Sequence, residues 1–534
     1  MIVFPYRRFA MWIAAALTMA LVVGGVPGAQ SAQDIAARYR DANAARILRE
    51  FSALLTIPNL ARDVADIERN AAYIRDAMQA AGVATELLRV DGAPPVVLGI
   101  VTVPGATRTL GIYAHYDGQP VDPKAWRHPP FEPTLYTAAV EMGGKPRALP
   151  KDGEPVDPES RIYARSAGDD KAPIAAILAV LKAFRDGGAR PTSNLIFLFD
   201  GEEEAGSPHL GEYLTRYKDR VDPVSIWLFF DGPVHQSGRP QITFGVRGSM
   251  SVDVTVYGAT RELHSGHYGN WAPDTPQVLA RLLASMKDDT GKVLVDGWYD
   301  SAAPIGAEER AALKAMPDYD TELKRELGLA GTEGQPASLP ERLLLPALTV
   351  RGISSGNTGA LAANVIPTTA TASLGIRLVK GNEPDHMRAL IVRHIERQGF
   401  HVVATDPDTP TRLKFPRIAK VTGGDDASPA ARTSMANPFA RQVVGAAGRA
   451  ADRMAWAGGR AGGPGAIAAG KESLLIAPGM GGTLPLYLFT DVAGKPAVIV
   501  PIANHDNNQH GANENLRIAN LWYAIDLVAA LFGM

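Results

Sequence analysis

Three runs of unalternating apolar residues along the chain each stop abruptly at an acid or a histidine. Leu110–Ala114 leads into His115, Tyr116 and Asp117, Leu195–Phe199 into Asp200 and Glu202–Glu204, and Ile226–Phe230 into Asp231. Short aliphatic and aromatic runs of this kind mark strands covered on both faces. In open α/β sheets the ligand crevice lies beyond the carboxyl ends of such strands. The pattern therefore predicts an α/β unit, a helix-flanked mixed sheet whose polar strand ends share one rim.

The segments between and around these strands support that layout. Helical spacing runs from Ile35 to about Ala81, broken at Pro58 and Gly82, and a strand-like run follows at Val96–Val103. The Pro- and Gly-rich stretch 120–161, with Trp126 and Phe131, is long for a compact domain, a length usually tied to function. A helix is predicted from about Lys171 to Phe184, with Pro173 in its first turn. After Gly238 the texture changes. Ser251–Val256 alternates and Thr371–Val379 looks similar, as half-exposed strands do, with helical patterns at Thr275–Met286 and Pro384–Gln398. That predicts a separate α+β domain over 241–425. Pro496–Ile502 then reads as a buried strand and Leu516–Phe532 as an amphipathic closing helix. The first domain is thus expected to span 33–240 and 426–534, with the α+β domain inserted. The Ala/Gly-rich tract Gly445–Gly470 gives no usable pattern.

The first residues follow another logic. Arg7 and Arg8 precede the apolar stretch Phe9–Val23, then Gly24, Gly25, Pro27 and small residues through Ala32. This predicts a secretory signal peptide over 1–32 and a periplasmic or secreted protein. The stretch is short against the roughly 20 apolar residues of a membrane span, so an uncleaved anchor is the lesser alternative.

The chain contains no Cys, which removes disulfides, thiol catalysis and thiolate zinc sites, so any transition metal must be held by His and carboxylate. A net charge of −2 offers no basic footprint for nucleic acid. Taken singly, each polar group has an ordinary explanation. A strand-end His is normally solvated, Asp169 and Asp170 could cap the helix at Lys171, and Glu202–Glu204 reads as a solvated turn. Together with Asp231, His505 and His510 they suffice for two metals about 4 Å apart bridged by a carboxylate, with one acid left as base.

These residues also carry a resemblance. His115-Tyr116-Asp117-Gly118-Gln119-Pro120, Gly168-Asp169-Asp170-Lys171, Glu203-Glu204-Ala205-Gly206-Ser207 and His510 with Asn513-Glu514 resemble, in order, the motifs of the dizinc exopeptidase family of carnosinases, glutamate carboxypeptidases, acetylornithine deacetylases and succinyl-diaminopimelate desuccinylases. Trp126 with Pro130-Phe131-Glu132-Pro133, Leu263-His264-Ser265-Gly266, Gly297-Trp298-Tyr299-Asp300, and Asn364-Val365-Ile366-Pro367 followed by Arg377 resemble the carnosinase-like dipeptidase subgroup.

The resemblance implies two divalent ions, zinc first, with manganese or cobalt as substitutes. Asp169 would bridge them, His115 and Asp231 would complete one site, and Glu204 and His510 the other. Asp117 would orient His115, Glu203 would act as general base on a metal-activated water, and His264 would stabilise the oxyanion in the partner subunit's site, which implies a homodimer. Arg377, Asn364 and the loop containing Gly482 and Thr483 would bind substrate. The implied protein is an exported dipeptidase with an inserted lid and dimerisation domain. An N-acyl amino acid deacylase of the same fold and a non-catalytic peptide-binding relative are the alternatives. Ala172 departs from the family's usual Gly, and the approach to Gly481 lacks the charged residues the subgroup often carries.

Overall fold

The computed structural model describes residues 31–424, 426–457 and 473–534. Residues 1–30, which carry nearly all of the expected signal peptide, and 458–472 of the Ala/Gly-rich tract lie outside them.

The three apolar runs form neighbouring strands. Thr109–His115 lies parallel between Asn194–Asp200 and Ile226–Phe229, with His115 level with Asp200. They belong to an eight-stranded mixed sheet ordered Ala84–Leu88, Val96–Val101, Asn194–Asp200, Thr109–His115, Ile226–Phe229, Ala497–Ile499, Gln241–Thr243, Leu475–Ala477. All three central strands are buried essentially throughout, because both faces are covered. Ile112, Phe197 and Leu228 face a core shared with the helices Ala32–Leu55, Lys171–Gly187 and Ile518–Phe532. Tyr113, Leu198 and Phe229 face an opposite core with Leu210, Tyr213 and Phe489. Gly111 permits one close approach, since a Cβ there would meet the Trp227 ring at 2.4 Å.

A second, five-stranded sheet has the order Ala347–Ser354, Thr369–Leu378, Gly248–Tyr257, Ile418–Thr422, His401–Val403. Its central strands alternate buried and partly exposed residues. The buried set packs with Leu279 and Leu282 of the helix Thr275–Ala284 and with Met387, Leu390, Ile391 and Ile395 of the helix Pro384–Arg397.

Several elements differ from the sequence reading. Gln241–Thr243 pairs in the large sheet with Ala497–Ile499 and Leu475–Ala477, so the second sheet begins only at Gly248 and not at 241. Asn515–Arg517 is a strand paired with Arg161–Tyr163, and the helix starts at Ile518. That helix is not amphipathic: apart from Ala519 and Trp522 its residues are buried, because helices enclose it against the sheet. The early part of the Ala/Gly-rich tract continues the helix Pro438–Ala457, where Ala446, Ala447, Ala450 and Ala451 let neighbouring backbones approach in the same core. The stretch 120–161 holds the short strands Thr134–Tyr136 and Pro146–Arg147, which join Arg161–Tyr163 in a small sheet. Among the described residues, no helix is long and apolar enough to cross a membrane.

Candidate metal centre

Strand ends and two loops bring the predicted ligands together. His115, the last residue of its strand, is fully buried. Its Nδ1 lies 3.2 Å from Asp117 Oδ1 and its Nε2 2.9 Å from Asp169 Oδ1. Asp231 Oδ2 and Glu203 Oε2 stand 3.8 and 4.0 Å from the same Nε2. On the other side of Asp169, Oδ2 lies 3.1 Å from His510 Nε2, which is 3.3 Å from Glu204 Oε2. Asp169 thus faces both histidines. Two triads satisfy metal-ligand spacing, His115 with Glu203 and Asp231, and Asp169 with Glu204 and His510, their ligand atoms within 4.8 Å of one another. Geometry alone would admit Glu203 as a ligand, a place the resemblance does not give it.

The surroundings fix these groups. Asp117 accepts the backbone amides of Glu203 and Glu204, each at 3.0 Å, so one carboxylate holds both the His115 ring and the acidic turn. Nδ1 faces Asp117 and Nε2 faces Asp169, so carboxylates on both sides fix the orientation of the ring. Asp170 makes no side-chain cap to the helix at Lys171. Its Oδ2 instead accepts the His115 amide at 3.2 Å, so capping does not account for the acidic pair. The Asp169–Asp170 peptide bond is cis. Lys171, completely buried, donates to the carbonyls of Leu54 and Ile57 at 3.0 and 2.9 Å, and burial lowers its ammonium to about 7.

The electrostatics suit a cation. Burial, with the neighbouring Asp169 charge, pushes Asp231 up to about 7 and Glu204 up to about 8. Burial drives Glu203 well above the usual carboxylate range. Burial alone would lower His115, but hydrogen bonding to Asp117 and Asp169 more than reverses it, and the ring is held well above its ordinary value. Asp231 Oδ2 is buried without a hydrogen-bond partner. So many acids taken out of water repel one another unless positive charge lies between them. The donor set, imidazole nitrogen and carboxylate oxygen without sulfur, suits zinc and its first-row neighbours. The residues fit the implied metals.

The other predicted residues lie apart from this cluster. His264 pairs with Val365 in a two-stranded ribbon, its ring exposed and 4.6 Å from that of His267 between centroids. The Asn364 carbonyl accepts the Ser265 amide at 2.9 Å, and the residue is exposed. Arg377 Nη1 donates to Thr483 Oγ1 at 2.9 Å, joining the second sheet to the loop where the Gly482 carbonyl accepts the Arg247 amide. Among the described residues, no hydrogen bond or ring contact takes His264 or Asn364 to the metal ligands. His505 is exposed and belongs to neither ligand triad.

Sequence reasoning gave no role to four residues that support the ligands. Gln119 donates to Glu204 Oε2 at 2.7 Å and Gln509 to Asp169 Oδ2 at 2.8 Å. Arg165 and Glu514 form a buried pair at 2.6 Å between the Asp169 and His510 loops. Glu514 was visible as part of the last motif; Gln509 carried no signal.

An acid and histidine cluster of this kind, buried on one side and open at His510, at the carboxyl ends of parallel strands suits a metal-dependent hydrolase. The profile of peptidase family M20/M25/M40 matches residues 111–533, and the chain belongs to that family. It is 26% identical to a Cys-Gly metallodipeptidase of Candida albicans over 443 residues, 80% of this chain and 78% of that protein. It is also 26% identical to the Beta-Ala-His dipeptidase of Homo sapiens over 446 residues, 82% of this chain and 77% of the other. Among solved structures it resembles an M20 family metallo-carboxypeptidase of Sulfolobus solfataricus, with a TM-score of 0.70, 26% identity and coverage of 91% of this chain and 98% of that one. Human carnosine dipeptidase 1, at 22% identity, shares the fold with a TM-score of 0.64, covering 94% of this chain and 98% of that one. Both the family and the carnosinase-like subgroup agree with the motifs.

Proposed function

We propose that the protein is an exported dipeptidase that hydrolyses the peptide bond of dipeptides or short peptides at a two-metal centre, zinc being the expected ion. The observation that carries the reading is Asp169 lying between His115 and His510, 2.9 and 3.1 Å from their Nε2 atoms, with Glu203 alongside. His115 and Asp231 would hold one ion, Glu204 and His510 the other, and Asp169 both.

Bound there, two divalent ions supply Lewis acidity that polarises the scissile carbonyl and makes water more acidic. Glu203 takes the proton of the attacking water and passes it to the leaving amine as the C–N bond breaks, so one carboxyl serves first as base and then as acid. Cations nearby favour its ionised form against the burial that raises it. Arg377, with Thr483 and the amides around Gly482, receives the substrate's terminal carboxylate, because a guanidinium forks onto it. His264 and Asn364, exposed on the inserted domain, act on the site of a second subunit in a homodimer, His264 donating to the developing oxyanion. The dipeptidase names of the relatives in yeast and human support the substrate class. Residues 1–32 carry the export signal.

The test measures metal content and hydrolysis of a dipeptide panel beside N-acyl amino acids, for the natural protein and for Glu203→Gln. Two ions per chain, dipeptide cleavage and its loss in the variant are expected. Dominant deacylation would move the substrate to the alternative class. Full activity after thorough chelation would overturn the mechanism.

A further inference from the structure

The two loops that carry Asp169 and His510 meet across a single buried ion pair. Glu514 is fully buried and accepts three backbone amides of the first loop, Ser166 at 3.0 Å, Gly168 at 2.9 Å and Asp169 itself at 3.0 Å. The two amides nearest the bridging ligand share Oε1, while Ser166 and Arg165 Nη1 share Oε2. From the other end, Arg165 Nη2 reaches the carbonyls of His510 and Gly511 at 3.5 and 3.3 Å. The guanidinium is packed at 5.2 Å over the Trp126 ring, and the amide of Arg127 donates to Asn513 Oδ1 at 2.8 Å, closing the far side of the His510 loop. His510 and Asn513 both hold positive φ, near 62° and 61°, a conformation that non-glycine residues keep only when their surroundings impose it.

We propose that Arg165 and Glu514 are positioning residues that set the separation of Asp169 from His510, and hence the affinity of the second metal position, without touching either ligand side chain. The proposal rests on the reading of Asp169 and His510 as metal ligands. A carboxylate fits the amide side because it offers lone pairs to four donors at once. A guanidinium fits the carbonyl side because it presents several donors in one rigid plane, which an ammonium does not. Outer groups that hold ligands this way typically change metal affinity about 10- to 100-fold when altered. A pair serving only the fold would lower stability on substitution and leave metal binding alone.

The experiment titrates metal-free protein with zinc by calorimetry, alongside thermal unfolding, for the natural chain, Glu514→Gln and Arg165→Lys. Glu514→Gln turns an acceptor towards the amides into a donor, and one of its two ions is expected to lose affinity about 10- to 100-fold, the other less. Arg165→Lys keeps the charge opposite Glu514 but not the planar fork, so it should fall between the other two. If Glu514→Gln does not fold, Arg165→Lys still decides the matter through its own two zinc affinities. Natural zinc affinities at both positions in the folded variants, whatever their melting temperatures, would overturn the proposal. A natural protein binding fewer than two ions would overturn it together with the metal reading. One that binds two ions but cleaves no dipeptide would tell against the substrate reading alone.

Discussion

The two large sheets solve opposite problems. The eight-stranded sheet is covered on both faces, and the strands that end at His115, Asp200 and Phe229 have almost no exposed side chains. The five-stranded sheet packs helices against its buried residues and presents the edge strand Ala347–Ser354 to solvent, with Val350 and Ile353 exposed. Ligand geometry must be held to a few tenths of an ångström, which needs supports that are themselves locked in place. Residues that meet a mobile substrate or a second chain need access instead. His115, Asp169 and Asp231 are buried at the rim of the first sheet while His510 stands half-exposed on a loop; Arg377 lies on the second sheet and His264 and Asn364 at a separate two-stranded ribbon, all three exposed.

Substitutions on either side of this divide should behave differently, the largest effect falling at the chemistry itself. Glu203→Gln is expected to lower kcat on the order of 10²- to 10⁴-fold with metal content and folding unchanged, measured by steady-state kinetics and elemental analysis. Loss of a metal instead would make Glu203 a ligand, the role its distance to His115 also admits.

In stability the contrast runs between cores and edges. Phe197→Ala removes a ring packed near Phe199 and Phe532 and should cost about 3–5 kcal/mol in denaturant unfolding. Ile353→Ala on the exposed edge should stay within about 0.5 kcal/mol for a single chain. A larger loss there that grows on dilution would mark the edge strand as a subunit contact.

His264→Ala should lower kcat about 10²- to 10³-fold, as loss of an oxyanion donor does. Mixing it with Glu203→Gln subunits should recover part of the activity, since one composite site would then be intact. No recovery in verified mixed dimers would place His264 in its own subunit's site. Arg377→Ala should act mainly on KM, raising it about 10- to 100-fold for loss of a charged hydrogen bond, with little change in kcat. A fall in kcat alone would take Arg377 out of the carboxylate clamp.

The smallest effect concerns pH. Burial, with Arg239 and His505 nearby, lowers His235 from 6.5 to about 4. Between those values the unfolded chain binds a proton that the folded chain refuses, so stability is full above about 6.5 and falls as the pH drops towards 4. His235→Gln should flatten that part of the melting-temperature profile; an unchanged slope would assign it to other groups.

Much of the first sheet was legible because a strand buried on both faces writes itself as an unbroken apolar run, and a polar residue that ends it is conspicuous. The same signal failed where context decides. Ile518–Phe532 reads like a helix with one apolar face, yet neighbouring helices cover nearly all of it. Gln241–Thr243 runs into alternating sequence, so the expected boundary at 241 falls ahead of a strand of the first sheet, because three residues carry too little pattern to be assigned alone. In the metal centre the ligands and Asp117 stood out by residue type and motif, whereas supports such as Gln509 and Arg165 did not. Arg165 and Glu514 are 349 residues apart, and nothing local to either marks the contact.

Lys171 ties the end of the first helix to the loop of Asp169 through the carbonyls of Leu54 and Ile57. That helix, Ala32–Leu55, is capped by Ser31 and packs its Ile47, Leu48 and Phe51 into the same core as Ile174 and Ile177. The export signal proposed over 1–32 would, if cleaved at its end, take Ser31 with it, so the place of any cut matters. A leader removed before Ser31 leaves the cap and its buttress whole, whereas a cut several residues further in would erode the footing of a catalytic centre that begins, in sequence, more than eighty residues later, at His115.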